Sequence, residues 1–522
     1  MTFTSPLPDV EIPDVALTEY VLERAGEFGD KPALVDGPSG RTLTYRQLEA
    51  GIRALAGGLV SRGFAKGEVL AVMAPNIPEY AIVFHGVAMA GGIVTTINPT
   101  YTEREVHHQL VDSKATMLVT VAPFLETASK AVVGTDVEAV YLIGEVPAGA
   151  DALPVTDLFG EPLAQQVPVS ADDVVTLPYS SGTTGVNKGV MLTHHNLVAN
   201  IAQGIEVLGF GDDERFVGVL PFFHIYAMQV VMNFGARMGA TVVTMPRFDL
   251  VQFLELNAEL RASRAFVAPP IIVALAKHPV VENYDLSSLR TILSAAAPLS
   301  AELAIEAGNR LGCEVSQGYG MTELSPVSHA TPLGQCRPGS VGVTVSNTET
   351  RIVDPASGND LGVGEDGEIW VRGPQVMKGY LNNEAATDAT LLPDGWLRTG
   401  DIGHVEDDGH LFIVDRLKEL IKVSGFQVAP AELEALLLTH PAIADAAVIG
   451  RANERTGEVP VAFVVVRDGQ ALSKEDVEAF VSGQVAHYKQ LGDVVFVEAI
   501  PKSASGKILR RMLRDDAPAA QS

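Results

Sequence analysis

The tightest constraint on the fold is an alternation running through roughly the first 330 residues, in which capped amphipathic helical segments trade places with short apolar runs. Thr44-x-x-Gln47 is a capping box ahead of a segment that puts Leu48, Ile52, Leu55, Ala56 and Leu59 on one face and stops at Gly63. An apolar strand follows at Val69–Met73, then a turn with Pro75, Asn76 and Pro78; Thr102-x-x-Glu105 opens another helix, and Met117–Val121 reads as the next strand. Such alternation predicts α/β layers with largely parallel sheets, because a helical crossover lets successive strands run the same way. Past about residue 335 the texture changes to short strands with Gly and Pro turns, at 350–353, Gly367–Arg372 and 410–414, which predicts a small β-rich subdomain over about 335–415. Compact elements then return. Pro430 sits just inside a helix bearing Leu433, Leu436 and Leu437, Ser473-x-x-Asp476 opens another, and 446–449, 459–466 and 494–497 read as strands. The predicted organisation is a large N-terminal domain of layered α/β sheets, residues 1–417, and a C-terminal α+β domain, residues 418–522.

Chemistry concentrates first in Tyr179-Ser180-Ser181-Gly182-Thr183-Thr184-Gly185-Val186-Asn187-Lys188-Gly189, held between apolar runs at 173–178 and 189–193. Glycines let backbone N–H groups approach an oxyanion, hydroxyls donate to it, and a lysine supplies positive charge. By composition alone a Ser/Thr/Gly surface loop is an equal reading. The usual nucleotide P-loop is excluded. It needs G-x-x-x-x-G-K followed by Ser or Thr, whereas Gly182 and Gly185 stand too close together and Gly189 follows Lys188.

Further motifs follow at wide spacing. Gln317-Gly318-Tyr319-Gly320-Met321-Thr322-Glu323 exposes an aromatic ring beside bare backbone, suited to stacking a purine, with a hydroxyl and a carboxylate beside it. Asp401 follows a glycine turn in Trp396-Leu397-Arg398-Thr399-Gly400-Asp401, a place where an acid takes ribose hydroxyls, although lone turn Asp residues are mostly caps. Asp415-Arg416-Leu417-Lys418-Glu419-Leu420-Ile421-Lys422-Val423-Ser424-Gly425-Phe426-Gln427 is charge-rich and reads as an exposed connector. In Pro501-Lys502-Ser503-Ala504-Ser505-Gly506-Lys507, the lysine follows a Ser-Gly turn, so its amine projects from a loop. The basic run Lys502, Lys507, Arg510, Arg511 and Arg514 is by default a solvated helix face, and His224 in Pro221-Phe222-Phe223-His224-Ile225-Tyr226 is by default a satisfied core histidine.

Taken in order, these motifs resemble those of the adenylate-forming superfamily, which includes acyl-CoA synthetases, 4-coumarate:CoA ligases and firefly luciferase; the pattern is most like bacterial 4-coumarate:CoA ligases. Asn187 stands where members usually carry Pro. The resemblance implies that ATP and Mg²⁺ bind a carboxylic acid's activation site, giving acyl-AMP and pyrophosphate, after which CoA displaces AMP. It implies that Ser180, Ser181, Gly182, Thr183, Thr184, Gly185 and Lys188 hold phosphates, that Gly318, Tyr319 and Thr322 hold the adenylate, that Glu323 meets Mg²⁺, and that Asp401 and Arg416 hold the ribose. It implies that Lys507 is the catalytic lysine of adenylation, that Lys418 is a hinge for a mobile C-terminal domain, and that Lys422 and Gln427 face the adenylate. His224, Tyr226, Ala296, Gln317 and Gly318 are implied around the acyl group, and Arg247, Ser424 and Gly425 toward CoA. Ser424 replaces a Lys common in 4-coumarate:CoA ligases, and Ala295 adds a methyl to a Gly-rich segment. Ile225 occupies the position where amino-acid-activating domains place Asp, which argues against an amino-acid substrate.

The remaining expectations are exclusions and alternatives. The net charge of −27 argues against nucleic-acid binding and requires local positive patches if ATP and CoA are ligands. Two cysteines, Cys313 and Cys336, match no metal spacing and suit a reducing, cytoplasmic setting. No signal peptide or peroxisomal tripeptide is expected, and 80–97 reads as a buried helix entering a strand rather than a membrane span. A medium- or long-chain fatty acyl-CoA synthetase, an acyl-AMP ligase loading a carrier protein, a luciferase-like oxygenase and a catalytically silent scaffold stay open as alternatives.

Overall fold

The computed structural model describes residues 1–180, 187–211, 213–424, 426–453, 455–503 and 506–516. The alternating half folds as expected. Thr44 and Thr102 both form the capping boxes read from sequence, opening helices Tyr45–Ser61 and Glu103–Ser113, and a third box at Thr193 and Asn196 opens His194–Leu208. Residues 80–97 form the buried helix Pro78–Met89 followed by strand Ile93–Thr96. No described helix is long and apolar enough to cross a membrane.

Among the described residues, four sheets build the part before residue 417. An eight-stranded sheet has Val69–Met73 near its centre, parallel to Ile93–Thr96 and Met117–Val121. Val174–Ser180 runs parallel to Ile93–Thr96, and Lys188–Thr193 folds back antiparallel on it. A five-stranded sheet carries Arg264–Val267, Thr291–Ser294 and Glu314–Gly320 in parallel, then turns antiparallel at Val327–Ala330. A four-stranded sheet joins Arg215–Gly218, Thr241–Thr244, Pro32–Asp36 and Thr42–Thr44. The β-rich sheet pairs Glu349–Val353, Gly367–Arg372, Leu397–Val405 and Leu411–Arg416 antiparallel, and it recruits Thr2–Thr4 as its edge. That edge pairing spans most of the chain and left no local sign in the sequence.

After residue 417, Ile443–Asn453 and Gly457–Val466 form a long antiparallel pair, flanked by the hairpin Ile421–Val423/Phe426–Val428 and by Asp493–Phe496. Helices Pro430–Leu438 and Lys474–Ser482 pack on it around a separate apolar core of Val428, Leu433, Leu437, Val448, Val464 and Val477. The chain is thus a mixed α/β fold with several independent apolar cores. The large core lies between the N-terminal sheets, and the catalytic candidates cluster where those sheets' strand ends meet the C-terminal elements.

Candidate active site

Strand register places the acid–base pairs. Asp401 and Arg416 lie directly opposite each other on adjacent antiparallel strands, so Arg416 Nε stands 3.3 Å from Asp401 Oδ1. The Tyr319 hydroxyl, arriving from the end of Glu314–Gly320, donates to Asp401 Oδ2 at 2.6 Å. Burial and the neighbouring Asp401 charge push the Tyr319 phenol well up, so it stays a donor. A second node forms around the buried Glu323. Its Oε1 accepts from Ser180 Oγ at 3.0 Å and from Tyr380 OH at 2.8 Å. Lys188 Nζ sits 3.9 Å from the centre of the same Tyr380 ring, a cation–π contact. Desolvation lowers the Lys188 pKa, as does Lys418, while Glu323 opposes the fall.

Lys507 reaches this region from the C-terminal part. Its backbone N–H donates to Ser503 Oγ at 3.1 Å, and its carbonyl accepts from the Ser503 N–H at 2.8 Å. Gly506 makes the turn possible. Its φ is +84°, and a Cβ there would lie 3.1 Å from the Ala268 side chain of the N-terminal part. The tight approach seats the loop against Ala268 and Pro270. Burial lowers the Lys507 ammonium below the ordinary lysine range; Arg416 lowers it further, and Asp401 and Glu323 pull it back.

Two cavities meet at these side chains. The larger, about 990 Å³, is bordered by Ser180, Lys188, Glu323, Tyr380, Asp401, Arg416 and Lys418. Cations outnumber carboxylates along its wall, which supplies the local positive field that the chain's net charge of −27 demanded. The smaller is mostly apolar and is lined by Tyr226, Val230, Leu293, Ala295, Ala296, Gly318, Tyr319, Val327 and Ala330. His224, Ile225, Met321, Thr322 and Lys507 border both, so an ammonium and an imidazole stand at the junction. His224 Nδ1 accepts the Tyr226 N–H at 3.3 Å, and burial with the Lys507 charge lowers its pKa to about 3, leaving the ring neutral. Tyr226 OH donates to the Leu293 carbonyl at 3.2 Å. Ala296, with φ +77°, holds a left-handed backbone at the cavity wall, a strain worth of order 1–3 kcal/mol.

The remaining sequence candidates divide. Gln317 is buried with its Oε1 accepting the Leu299 N–H at 3.3 Å, and it lines neither cavity. Arg247 is exposed beyond strand Thr241–Thr244 and lines neither cavity. Lys422 and Gln427 pair across the hairpin at 421–428, and with Ser424 they face solvent. Ser181, Gly182, Thr183, Thr184, Gly185 and Gly425 lie outside the described residues.

Sequence reasoning missed Tyr380, Tyr101 and His329. Tyr380 arrives by a two-stranded pairing of Gly379–Tyr380 with Lys188–Thr193, which no local pattern announces. Tyr101 accepts from Asn187 Nδ2 at 2.7 Å. His329 lines the smaller cavity, with Nδ1 3.0 Å from Ser328 Oγ and Nε2 3.2 and 3.0 Å from the Thr344 and Thr350 hydroxyls; burial lowers its pKa to about 3. A histidine beside Ser328 in the short strand Val327–Ala330 was its one visible signal.

Comparison with known proteins converges on one group. Residues 21–381 match the family described as AMP-binding enzyme, and residues 432–507 match AMP-binding enzyme C-terminal domain. 4-Coumarate–CoA ligase 1 of Petroselinum crispum is 44% identical over 527 aligned residues, covering 98% of this chain and 96% of its own. An anthranilate CoA ligase solved with anthranoyl-AMP superposes with a TM-score of 0.90 at 26% identity, covering 96% of this chain and 97% of its own. MatB from Rhodopseudomonas palustris, 28% identical and covering 96% of this chain and 99% of its own in both states, superposes at 0.88 with ATP bound and at 0.78 as the apo form.

Proposed function

Because this chain belongs to the AMP-binding enzyme family, we propose that it is an ATP-dependent carboxylate:CoA ligase activating an aryl-propenoic acid of the 4-coumarate or cinnamate type. The observation carrying this reading is the junction: Lys507 and His224 border both the charged cavity and the apolar one. ATP would lie in the larger cavity, with its ribose hydroxyls at Asp401, Arg416 beside them, and its β- and γ-phosphates at Lys188 and Ser180. The aryl group would fill the smaller cavity against Tyr226, Ala296 and Gly318, presenting its carboxylate at the junction. Attack of the carboxylate oxygen on the α-phosphorus forms acyl-AMP and breaks the bond to pyrophosphate. The Lys507 ammonium lowers the cost of bringing two anions together, and Thr322 donates at the same place.

Mg²⁺ fits the donor set. Among the described residues no cluster of His, Cys, Asp and Glu forms an all-protein cage, but Mg²⁺ needs only one or two carboxylates beside nucleotide phosphates. Glu323 would supply that carboxylate, fixed through one oxygen by Ser180 and Tyr380. Bound there, the ion would neutralise phosphate charge.

For the second step, CoA sulfur attacks the acyl carbonyl and AMP leaves. Ser424 and Gly425 would serve this step after the C-terminal part rotates about Lys418, with Lys422 and Gln427 then facing the adenylate and Arg247 toward the CoA phosphate. The higher similarity to the ATP-bound form of MatB supports reading the present arrangement as the adenylating one. The reading further includes a cytoplasmic setting, which two unpaired cysteines, Cys313 and Cys336, favour.

The test is a panel of cinnamates and fatty acids assayed by ATP–pyrophosphate exchange and by thioester formation with CoA. Cinnamate-stimulated exchange and CoA thioester support the reading. Preference for fatty acids, or acyl transfer only to a phosphopantetheinylated carrier, overturns the substrate or the acceptor, respectively.

A further inference from the structure

Asn187 is the first residue past the last ladder pair, Ser180 opposite Lys188, so the strand pairing does not hold it. Its side chain does. Asn187 Nδ2 donates to the Tyr101 hydroxyl at 2.7 Å. Tyr101 is itself fixed: its N–H donates to the Asn98 carbonyl at 3.0 Å, while the Asn98 side chain accepts from Thr100 N–H and Oγ. Burial, with Glu105 nearby, pushes the Tyr101 phenol up to about 12, so it stays neutral. The opposite stem has its own anchor, with the Tyr179 hydroxyl donating to Asp112 at 2.6 Å. Both anchors rest on the segment that carries helix Glu103–Ser113, one just before the helix and one within it.

We infer that Asn187 and Tyr101 form a clasp that positions Lys188 for the nucleotide phosphates. Lys188 follows Asn187 directly, and its ammonium lies 3.9 Å from the Tyr380 ring whose hydroxyl holds Glu323. Asn187, Lys188 and Tyr101 border the same large cavity. Lys188 ends the ladder, so a free asparagine before it would leave only the terminal pair with Ser180 to hold that end, since asparagine fixes no φ as a proline does. The hydrogen bond restores the restraint from the side chain. Asn187 and Tyr101 are therefore positioning residues that act through Lys188 and touch neither the acyl group nor the α-phosphate. This inference rests on the ATP-dependent reading given above.

The experiment measures ATP–pyrophosphate exchange for the full chain, Asn187→Ala, Tyr101→Phe and the double variant, with KM for ATP and for the acid taken separately alongside the melting temperature. Each single variant should raise KM for ATP about five-fold, the loss expected of one hydrogen bond. The KM for the acid and the melting temperature should stay put, and the double variant should be no worse than either single one. Unchanged KM for ATP in either single variant, additive losses in the double, or equal rises in both KM values with a falling melting temperature would overturn the clasp. Failure of the unaltered protein to exchange pyrophosphate with any acid would instead overturn the ATP-dependent reading itself.

Discussion

The C-terminal part of this protein turns two unlike surfaces to its surroundings. The loop at 501–509 brings Lys507 to the junction of the two cavities, seated through Gly506 against Ala268 and Pro270. The hairpin at 421–428, in the same part of the chain, holds Lys422, Ser424 and Gln427 in solvent, with Phe426 56% exposed and stacked on Tyr488. Both surfaces carry residues that the motifs mark for chemistry, yet only one touches the cavities. The difference teaches that residues marked by neighbouring motifs need not share a cavity, and under the proposed two-step reaction this arrangement is the one that serves adenylation. On the proposed reading, a second arrangement brings the hairpin in and withdraws Lys507.

The sharpest way to break this contrast is Lys507→Ala. Adenylation should fall by about 10²–10³-fold, the loss typical of removing one group that stabilises developing charge, while CoA capture of supplied acyl-AMP stays within a few-fold. Next comes Asp401→Ala, which leaves Arg416 and the Tyr319 hydroxyl without their shared acceptor. Its KM for ATP should rise about 10- to 100-fold, as expected when charged hydrogen bonds are lost. The reverse pattern is expected of Lys422→Ala on the hairpin. Thioester formation should slow about ten-fold, a charge-contact loss, with pyrophosphate exchange unchanged. Equal effects of Lys422→Ala on both half-reactions would erase the contrast.

A pH profile sharpens it further. The lowered Lys507 pKa means that the ammonium is lost at a lower pH than an ordinary lysine, so kcat/KM for adenylation should fall on the alkaline side below the usual lysine range. Lys507→Ala should remove that limb. His224, lowered to about 3, is neutral throughout and should add no limb between pH 6 and 9, a window set by ordinary imidazole titration. The smallest effect is expected at Ala296. Ala296→Gly relieves the left-handed backbone and widens the cavity wall, so exchange with cinnamate should change by no more than about two-fold while bulkier rings become substrates.

Much of this was legible before the fold was known, for definite reasons. Capping boxes at Thr44, Thr102 and Ser473 announce helices because each satisfies its own end locally. Strand Val69–Met73 is buried in the middle of a parallel sheet and so reads as a continuous apolar run, and Met117–Val121 beside it is broken only by Thr120. Arg416 ends a strand, Glu323 lies in a short helical turn and Lys507 follows a glycine, so their charges stand out from their neighbours; Asp401 lies inside strand Leu397–Val405, and Gly400 before it was its signal. What escaped were residues placed by distant pairing. Tyr380 reaches Glu323 and Lys188 only because a two-residue strand finds Lys188–Thr193, and Thr2–Thr4 edges a sheet formed more than three hundred residues later. Asn187, visible as a departure from the family's usual proline, gained a physical role only when Tyr101 appeared beside it.

The central claim, that Lys507 and the hairpin serve successive steps at one junction, is tested most directly by timing both half-reactions in Lys507→Ala with a cinnamate as substrate. Loss of acid-dependent pyrophosphate exchange, with CoA still capturing supplied cinnamoyl-AMP at nearly the unaltered rate, is the predicted result. Equal loss of the two half-reactions would contradict it.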